Sequence, residues 1–489
     1  MNAPPEMPAP LLIAGEDAPG TGPVLDAIDP ATGDVSTRYQ TATPAEVDAA
    51  VHAARAAHER GVWRDKKPHE RATILFEAAR RIADQTETLA TIQMRQNGKT
   101  LTECRAQAKA AAATFRYFAS VCETLEGELT TPRGDYLTLT VYEPAGVVAL
   151  ITPWNSPLTM EAQKLAPALA AGNSVILKPS EMTPGCGLAL ARIVCEAGVP
   201  SGVLSVLSGT GAIVGDALVR HAGVSMISFT GGTMTGRTIA RLAAERLIPC
   251  ALELGGKSPH IVFADADLDR AAEGVFGGIF DALGQSCVAG SRLFVERPVY
   301  RAIVDRLVAR AEALRLGPPT DPSSDQGPLA SFGHRERVER YVALAREDGG
   351  RILAGGKRPL GSVFERGAYY RPTIIEGLDN KARACREEIF GPVLCVLPFD
   401  DEADLLAQAN DTSYGLAAGV WTRDTVKAWR IARRLEAGTV WINTYRELSI
   451  AAPFGGMKES GLGREKGRQG VRLYTQPKSI YLSLAGGSP

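Results

Sequence analysis

The feature that most constrains the fold is a regular alternation of short apolar strands and helices between residues 146 and 254. The predicted strands are 146–151, 174–178, 203–207, 225–229 and 250–253, and the predicted helices are 157–171, 184–197, 213–221 and 234–247. Continuously apolar strands joined by helices indicate a parallel sheet covered on both faces. Ligands of such sheets bind at the carboxyl ends of the strands, where Asn155, Lys178 and Glu253 collect.

A second α/β block extends from about residue 257 to residue 455. Its predicted strands are 292–296, 393–397, 416–422 and 439–443, and its predicted helices are 299–314, 331–347, 401–410 and 425–436. Asp265 is the predicted N-cap of the helix that leads to residue 280. The fold class is therefore α/β, with two blocks and no tandem repeat.

The segments outside these blocks are of three kinds. Residues 1–22 are rich in Pro, Ala and Gly and predict a loose arm. Alanine-rich amphipathic helices are predicted at 44–61, 66–95 and 101–127. Residues 135–143 alternate like an exposed strand and are predicted to pair with the C-terminal strand that begins at Ser479. Two such strands would leave bare edges in a monomer, so we expect a homo-oligomer.

Composition limits the classes of partner. The chain has 489 residues and a formal net charge of −1, which offers no electrostatic footprint for nucleic acid or an anionic membrane. No apolar stretch reaches the roughly 20 residues that span a bilayer, and the first basic residue is Arg38. We therefore expect a cytoplasmic protein whose partners are small molecules and copies of itself.

One cysteine lies in a turn suited to chemistry. Cys287 follows Gly284 and precedes Gly290, and these small neighbours leave room for a substrate at a nucleophilic thiol. The alternative is a buried structural cysteine. The eight cysteines contain no CxxC pair and have no histidines at metal-ligand spacing, so no metal site is predicted. His260 is the nearest histidine in the sequence, and a group other than histidine would have to move protons.

A glycine-rich segment at 209–215 resembles the dinucleotide fingerprint G-x-G-x-x-G. Its third glycine comes one position late, and no acidic residue follows about 20 residues on. The segment alone is therefore weak support for a nucleotide, and the parallel sheet is the stronger reason to expect one.

Seven motifs together resemble the aldehyde dehydrogenase superfamily, in order, over roughly residues 30–480. They are Thr152-Pro-Trp-Asn-Ser-Pro, Lys178-Pro-Ser-Glu, Phe229-Thr-Gly-Gly-Thr, Glu253-Leu-Gly-Gly-Lys-Ser-Pro, Gly284-Gln-Ser-Cys, Glu388-Ile-Phe-Gly-Pro and Pro453-Phe-Gly-Gly. Glu253 and Cys287 are 34 residues apart, as in the hydrolytic members of that family.

The resemblance implies a domain organisation. A Rossmann-type NAD-binding domain would comprise residues 23–130 and 146–255, and a second α/β catalytic domain would comprise residues 256–455. Residues 131–145 and 470–489 would form a small β oligomerisation element, which in this family makes a dimer or a tetramer interface.

The resemblance also implies NAD-dependent oxidation of an aldehyde to a carboxylic acid. Cys287 would attack the aldehyde, Asn155 and the backbone N–H of Cys287 would stabilise the oxyanion, and Glu253 would activate water. Lys164 belongs to the same implied catalytic set. Two alternatives remain open: a CoA-acylating dehydrogenase, and a non-catalytic NAD-binding protein with this fold.

Cofactor contacts follow from the same resemblance. Lys178 and Glu181 would reach the adenine ribose, and the Glu181 carboxylate would repel a 2′-phosphate, which favours NAD over NADP. Glu388 would hold the nicotinamide ribose beside Phe390. Gly232 replaces the serine of most members, so a hydroxyl contact with the pyrophosphate is absent while the backbone donors remain. The other implied cofactor residues are Thr152, Pro153, Trp154, Ser180, Gly211, Phe229, Thr230, Gly231, Leu254 and Gly255.

The implied substrate pocket is polar. Ser156 and Gln163 stand where many members have aromatic rings, and Arg446 follows the last strand. A guanidinium suits a carboxylate, so a polar or carboxylate-bearing aldehyde is the hypothesis; a solvated or structurally paired Arg446 is the alternative. The other predicted pocket residues are Met160, Ser286, Val288 and Phe454.

Overall fold

The computed structural model describes residues 7–484. Its strands are β1 (Leu11–Ile13), β2 (Glu16–Ala18), β3 (Leu25–Ile28), β4 (Val35–Tyr39), β5 (Glu128–Leu129), β6 (Tyr136–Pro144), β7 (Val147–Ile151), β8 (Ser174–Lys178), β9 (Leu204–Val206), β10 (Met226–Thr230), β11 (Cys250–Glu253), β12 (Pro259–Val262), β13 (Arg292–Glu296), β14 (Arg351–Ala354), β15 (Thr373–Glu376), β16 (Val393–Phe399), β17 (Tyr414–Gly415), β18 (Ala417–Trp421), β19 (Thr439–Ile442), β20 (Met457–Lys458), β21 (Gly461–Leu462) and β22 (Thr475–Ser483).

The α-helices lie between these strands and cover both faces of the two main sheets. They are α1 (Pro44–Glu59), α2 (Pro68–Asp84), α3 (Thr86–Asn97), α4 (Leu101–Cys122), α5 (Pro157–Ala170), α6 (Pro184–Glu196), α7 (Asp216–Arg220), α8 (Thr233–Glu245), α9 (Leu268–Phe280), α10 (Tyr300–Ala313), α11 (Phe332–Glu347), α12 (Ser362–Glu365), α13 (Arg383–Arg386), α14 (Glu402–Asn410), α15 (Thr425–Arg434) and α16 (Gly467–Arg472). None of these helices is long and apolar enough to cross a membrane.

The first large sheet confirms the predicted parallel strands. Its order is β2-β1-β9-β8-β7-β10-β11-β21, and the five strands from β9 to β11 are parallel. Every residue of β7 and β8 is buried, as expected for strands with helices on both faces. The strand β21 adds an antiparallel edge from the far end of the chain.

The second large sheet has the order β14-β15-β16-β13-β12-β18-β19. Six of its seven strands are parallel, and β14 is an antiparallel edge. The predicted strands of the second block all lie in this sheet. The helix α9 and the Cys287 turn connect β12 to β13, and a Cβ on Gly256, shortly after β11, would lie 2.5 Å from the Cys287 carbonyl.

A third sheet confirms the pairing predicted for residues 135–143. β6 pairs antiparallel with β22 along nine residue pairs, and β5 adds to the other edge of β6. Much of β22 is exposed, including Tyr481 and Leu482 at 68% and 53%.

Two local predictions are wrong. Residues 1–6 lie outside the described part, but the rest of the predicted arm is ordered, because Leu11 and Leu12 are buried and β1 pairs with β9. The N-cap of α9 is Asp267, whose carboxylate accepts from the N–H of Arg270. Asp265 instead accepts hydrogen bonds from the Thr422 hydroxyl and the Asp424 N–H.

Candidate active site

The Cys287 turn begins where α9 breaks at Phe280. Ala282, Leu283 and Gly284 follow with φ of 54°, 50° and 67°, so three successive residues are left-handed. Two of them carry a Cβ, and such residues cost about 1 kcal/mol or more each unless the surroundings enforce them. The turn ends with Cys287 partly exposed and its thiol free.

Hydrogen bonds hold the chain on both sides of Cys287. The Asn155 amide donates to the Gln285 carbonyl at 3.0 Å, and the Tyr445 hydroxyl donates to the Val288 carbonyl at 2.9 Å. The Gln285 side chain is fixed in turn, because its Oε1 accepts from the Ala330 N–H at 2.9 Å. Cys287 therefore lies between two backbone carbonyls that are held by side chains, and the Asn155 amide has a second N–H to donate.

The walls around the thiol are apolar. Cys287 packs against a small cluster of buried side chains from the Cys287 turn, the segment around β18 and β19, and the glycine-rich loop. Its members are Val288, Leu416, Ala417, Trp441, Tyr445 and Phe454. Two of the predicted pocket residues, Val288 and Phe454, are in this cluster. Burial, with the negative charges of Glu253 and Glu388, raises the pKa of the Cys287 thiol to about 12, while Lys466 opposes this.

Glu253, the last residue of β11, is a buried carboxyl group with no bonded partner. It is 5% exposed, and within residues 7–484 neither of its oxygens has a hydrogen bond. Gly455 packs on it so closely that a Cβ there would lie 2.8 Å from Oε1. Burial raises the pKa of Glu253 well above its usual value, Glu465 adds to the effect, and Lys164 opposes it.

Behind Glu253 lies a buried ion pair that does have partners. Lys164 pairs with Glu465, and both side chains are almost fully buried. Lys164 also donates to the Ser228 hydroxyl at 2.9 Å, and the Gln163 amide donates to Glu465 at 2.5 Å. The structure thus directs Gln163, predicted as a pocket residue, into the interior.

The residues predicted to bind a cofactor collect at the carboxyl edge of the first sheet. Thr152, Pro153 and Trp154 follow β7; Lys178, Ser180 and Glu181 end or follow β8; Gly211 opens the turn after β9; Phe229, Thr230, Gly231 and Gly232 end or follow β10; Leu254 and Gly255 follow β11. Lys178 is 2% exposed, and its ammonium group lies 3.2 Å from the exposed Glu181 carboxylate.

Two glycines leave open space at this edge. A Cβ on Gly211 or Gly232 would meet nothing within 4 Å. Gly232 is the N-cap of α8 and has no side-chain cap bond, so the first N–H groups of that helix are available to an anion.

Glu388 reaches the same edge from the second sheet. Its carboxylate accepts from the Gly256 N–H at 2.9 Å and lies against Gly255, where a Cβ would be 2.2 Å away. Burial raises the pKa of Glu388 to about 7, and the Gly256 N–H and Lys257 oppose this rise. Phe390 and Trp154 meet edge to face at 5.4 Å.

The remaining predicted pocket residues occupy the outer part of the site. Ser156 accepts from the Gln107 amide at 3.3 Å, and Met160 and Ser286 are partly exposed. Arg446 donates to the carbonyl of Asp281 at 3.0 Å. That contact uses one nitrogen of the guanidinium and caps the end of α9.

Several residues that complete the site were not predicted from the sequence. Glu465 and Lys466 had one signal, a charged pair directly after the glycine-rich loop. Gln107, Tyr445 and His334 had none, since each reaches the site only through tertiary contacts. His334 lies 5.1 Å from the Trp154 ring and bonds to the Phe390 carbonyl.

Fold and site define a class: an α/β protein with two large, mainly parallel sheets, a free thiol, a side-chain amide and a buried carboxyl that has no hydrogen bond within residues 7–484. The chain matches the aldehyde dehydrogenase family over residues 18–480. It therefore belongs to the aldehyde dehydrogenase family, whose members are oxidoreductases that act on aldehydes.

Individual relatives agree with this assignment. The chain is 43% identical to betaine aldehyde dehydrogenase of Bacillus subtilis over 88% of each chain. It is similar to the NAD+ complex of an aldehyde dehydrogenase from Bacillus cereus, with TM-score 0.95, 40% identity and coverage of 98% and 97%. A betaine aldehyde dehydrogenase of Staphylococcus aureus in complex with NAD+ matches with TM-score 0.96, 37% identity and 98% coverage of both chains.

Proposed function

We propose that this protein oxidises an aldehyde to the carboxylic acid with NAD as hydride acceptor. The observation that carries the proposal is the meeting of Cys287 with the Asn155 amide and the unpartnered Glu253 carboxyl. Glu253 has no hydrogen bond within residues 7–484, although an unsatisfied buried polar group costs free energy, and its charge acts on the Cys287 thiol.

In the proposed reaction Glu253 takes the proton of the Cys287 thiol and passes it to solvent, and the thiolate attacks the carbonyl carbon, so that the C–S bond forms as the oxygen becomes an alkoxide. The Asn155 amide and the Cys287 backbone N–H donate to that oxygen. Loss of hydride from the carbon leaves a thioester on Cys287. The Glu253 carboxylate takes a proton from water, the resulting hydroxide attacks the thioester, and the C–S bond breaks to release the acid and the thiolate.

The residues at the sheet edge fit NAD, which when bound accepts the hydride. Gly211 and Gly232 leave room for a pyrophosphate near the free N–H groups of α8. Lys178 and Glu181 provide a cation and an anion for ribose hydroxyls, and the Glu181 carboxylate disfavours a 2′-phosphate. The NAD+ complexes of the relatives from Bacillus cereus and Staphylococcus aureus support the same choice.

An aldehyde panel followed by NADH absorbance tests this proposal. We expect NADH with at least one aldehyde, no NADH with Cys287→Ala, and no requirement for CoA. NADH formation that depends on CoA would show that the thioester is released by acyl transfer to CoA and not by hydrolysis. Undiminished NADH formation by Cys287→Ala would contradict the assigned nucleophile.

For the substrate we propose a polar or carboxylate-bearing aldehyde. Arg446 uses one guanidinium nitrogen on the α9 carbonyls, and its other nitrogens are available to a carboxylate. Turnover of a semialdehyde acid should fall more in Arg446→Ala than turnover of its uncharged analogue. Arg430→Ala, which removes a surface pair with Glu402, is the matched control. Equal losses for both substrates would rule out recognition of the carboxylate.

We also propose that the third sheet joins copies of the chain as a dimer or tetramer. The exposure of Ile480, Tyr481, Leu482 and Leu484 on or beside β22 supports this. Leu482→Asp should reduce the sedimenting mass, whereas Leu360→Asp, at a site 90% exposed in the loop between β14 and α12, should not. The eight free cysteines support a reducing compartment, which agrees with the cytoplasm.

A further inference from the structure

Lys466, the residue after Glu465, has a backbone conformation that a lysine rarely adopts. Its φ is 59° and its ψ is 176°, in a region of backbone conformation that is almost confined to glycine. Hydrogen bonds on both sides hold it there: the N–H of Glu465 donates to the Phe454 carbonyl at 2.7 Å, and the N–H of Gly467 donates to the Ile450 carbonyl at 2.8 Å. Because a glycine would adopt this conformation without strain, the lysine side chain is the feature that needs an explanation.

The Lys466 side chain is buried beside the apolar cluster around Cys287. Lys466 is 7% exposed, and its Nζ lies 5.0 Å from the centre of the Phe454 ring. Phe454 belongs to the cluster against which Cys287 packs. The face of an aromatic ring attracts a cation, but an ammonium group also has three N–H donors that need acceptors. The contact with the ring therefore leaves the hydrogen-bonding capacity of Lys466 unused.

The two carboxyl groups nearest to Lys466 in the site are not bonded to it. Glu465 pairs with Lys164, and within residues 7–484 neither oxygen of Glu253 has a hydrogen bond. Burial lowers the pKa of the Lys466 ammonium group, and the charges of Glu465, Cys287 and Glu253 oppose this change. An anion bound beside the ammonium group would act in the same direction as these charges. The surroundings of Lys466 therefore favour binding of an anion.

Lys458, in the glycine-rich loop, is a second lysine with a positive φ, of 50°. Its ammonium group donates to the carbonyls of Asn410 and Thr412 at 2.8 and 3.2 Å, and it also pairs with Glu436. The chain itself thus supplies the acceptors for Lys458. Lys466 lies a few residues further on with the same sign of φ, but its ammonium group is left for a ligand.

We propose that Lys466 binds the carboxylate of a small molecule whose reactive carbon lies at the Cys287 thiol. For an aldehyde this deepens the proposed function, since Lys466 would be a second cation for a carboxylate-bearing substrate, more deeply buried than Arg446. The part that concerns a substrate rests on the proposed function. The binding of a carboxylate beside the thiol does not.

Alkylation of Cys287 by two reagents of nearly equal shape tests the proposal without NAD or an aldehyde. Iodoacetate carries a carboxylate and iodoacetamide a neutral amide; with either, the thiolate sulfur bonds to the CH₂ carbon and iodide leaves. The thiolate fraction of Cys287 changes both rates by the same factor, so the ratio of the two rates reports recognition of the carboxylate. The rates are measured on the full-length protein by mass spectrometry of the Cys287 peptide. The partly exposed Cys195 and Cys250 are internal references.

We expect Lys466→Met and Lys466→Gln, which remove the charge, to lower the ratio of iodoacetate to iodoacetamide rates at Cys287 severalfold. Lys466→Arg, which keeps the charge, should retain most of the ratio. Lys458→Met is the matched control and should have the wild-type ratio. The ratio at Cys195 and Cys250 should be the same in all these proteins. The iodoacetamide rate shows in each variant whether the Cys287 turn is intact.

An unchanged ratio in Lys466→Met and Lys466→Gln would overturn the proposal. A proportional loss of both rates would also overturn it, because Lys466 would then act only on the thiolate or on the turn. Turnover is a separate reading: in Lys466→Met the KM of a semialdehyde acid should rise more than that of its uncharged analogue. Equal changes in KM would contradict a role in substrate recognition. Absence of NADH from every aldehyde in the wild type would contradict the proposed function instead, and the alkylation result would stand.

Discussion

Glu253 and Glu465 are buried side by side, yet their surroundings are opposite. Glu465 is bonded to Lys164 and Gln163, whereas Glu253 has no hydrogen bond within residues 7–484. A paired carboxylate has its charge and its hydrogen bonds satisfied, so it can stabilise the fold. An unpaired carboxyl can gain or lose a proton without breaking a contact, which is what a general base requires.

The first prediction, with the largest expected effect, distinguishes Glu253 from Glu465 by its effect on turnover. Glu253→Gln should lower turnover by about 10³-fold, since proton transfer by a positioned base contributes that order of rate. Burst measurements of NADH should still show the first turnover, because hydride transfer precedes hydrolysis. A steady-state rate equal to wild type would show that Glu253 is not the base.

The second prediction separates the two residues by stability. Lys164→Met leaves Glu465 buried without its cation, and such losses cost about 3–5 kcal/mol. Urea unfolding measures the change, and Arg55→Met, which removes an exposed pair with Glu59, is the matched control with about 1 kcal/mol or less. A loss in Lys164→Met no greater than in the control would mean that the buried pair does not anchor the fold.

The third prediction concerns pH and stability. Because the pKa of Glu253 is raised by folding, the folded protein binds its proton more tightly than the unfolded chain. Stability from this group is present below the ordinary glutamate pKa and is lost as pH rises toward the folded pKa. The melting temperature of Glu253→Gln should therefore rise relative to that of the wild type as pH increases above about 4.5. A constant difference across pH would contradict the raised pKa.

The smallest expected effect concerns the hydrogen bond that supports the Cys287 turn. Tyr445→Phe removes the hydrogen bond to the Val288 carbonyl, a loss of about 1 kcal/mol. We expect kcat to fall severalfold while NAD affinity stays unchanged, because only the Cys287 turn is loosened. Tyr300→Phe, which removes a hydroxyl contact with Glu376 away from the site, should change neither value.

The sequence predicted the strands β7 to β11 of the first large sheet and β13, β16, β18 and β19 of the second, because their apolar residues are continuous. Because the ends of these strands were predicted, the residues that follow them could be placed at the carboxyl edge of the sheet. Glu465 could not be placed, because its partners Lys164 and Gln163 lie some 300 positions earlier in the chain. The strand β1 was missed since three apolar residues among prolines and glycines give no periodic signal, and pairing with β9 decides its conformation.

The N-cap of α9 shows a limit of prediction from sequence at the level of single residues. Asp265 and Asp267 both have a side chain that can cap a helix, and propensity does not distinguish them. Tertiary contacts decide, because Thr422 and the backbone beside it already bind Asp265. Arg446 is a similar case, because the sequence allowed either substrate binding or structural pairing. The structure shows a structural contact with the Asp281 carbonyl that uses only one guanidinium nitrogen.

The antiparallel edge β21 has a consequence for the order of events at synthesis. Gly461 and Leu462 complete a sheet whose other strands are made of residues 11–253, and Glu465 follows directly behind them. Chains emerge and fold from the N-terminus, so the Cys287 turn leaves the ribosome long before the segment that surrounds Glu253. A nascent chain thus carries Cys287 without a finished site, and under the proposed mechanism reactivity toward aldehydes begins only when almost the whole protein has been made.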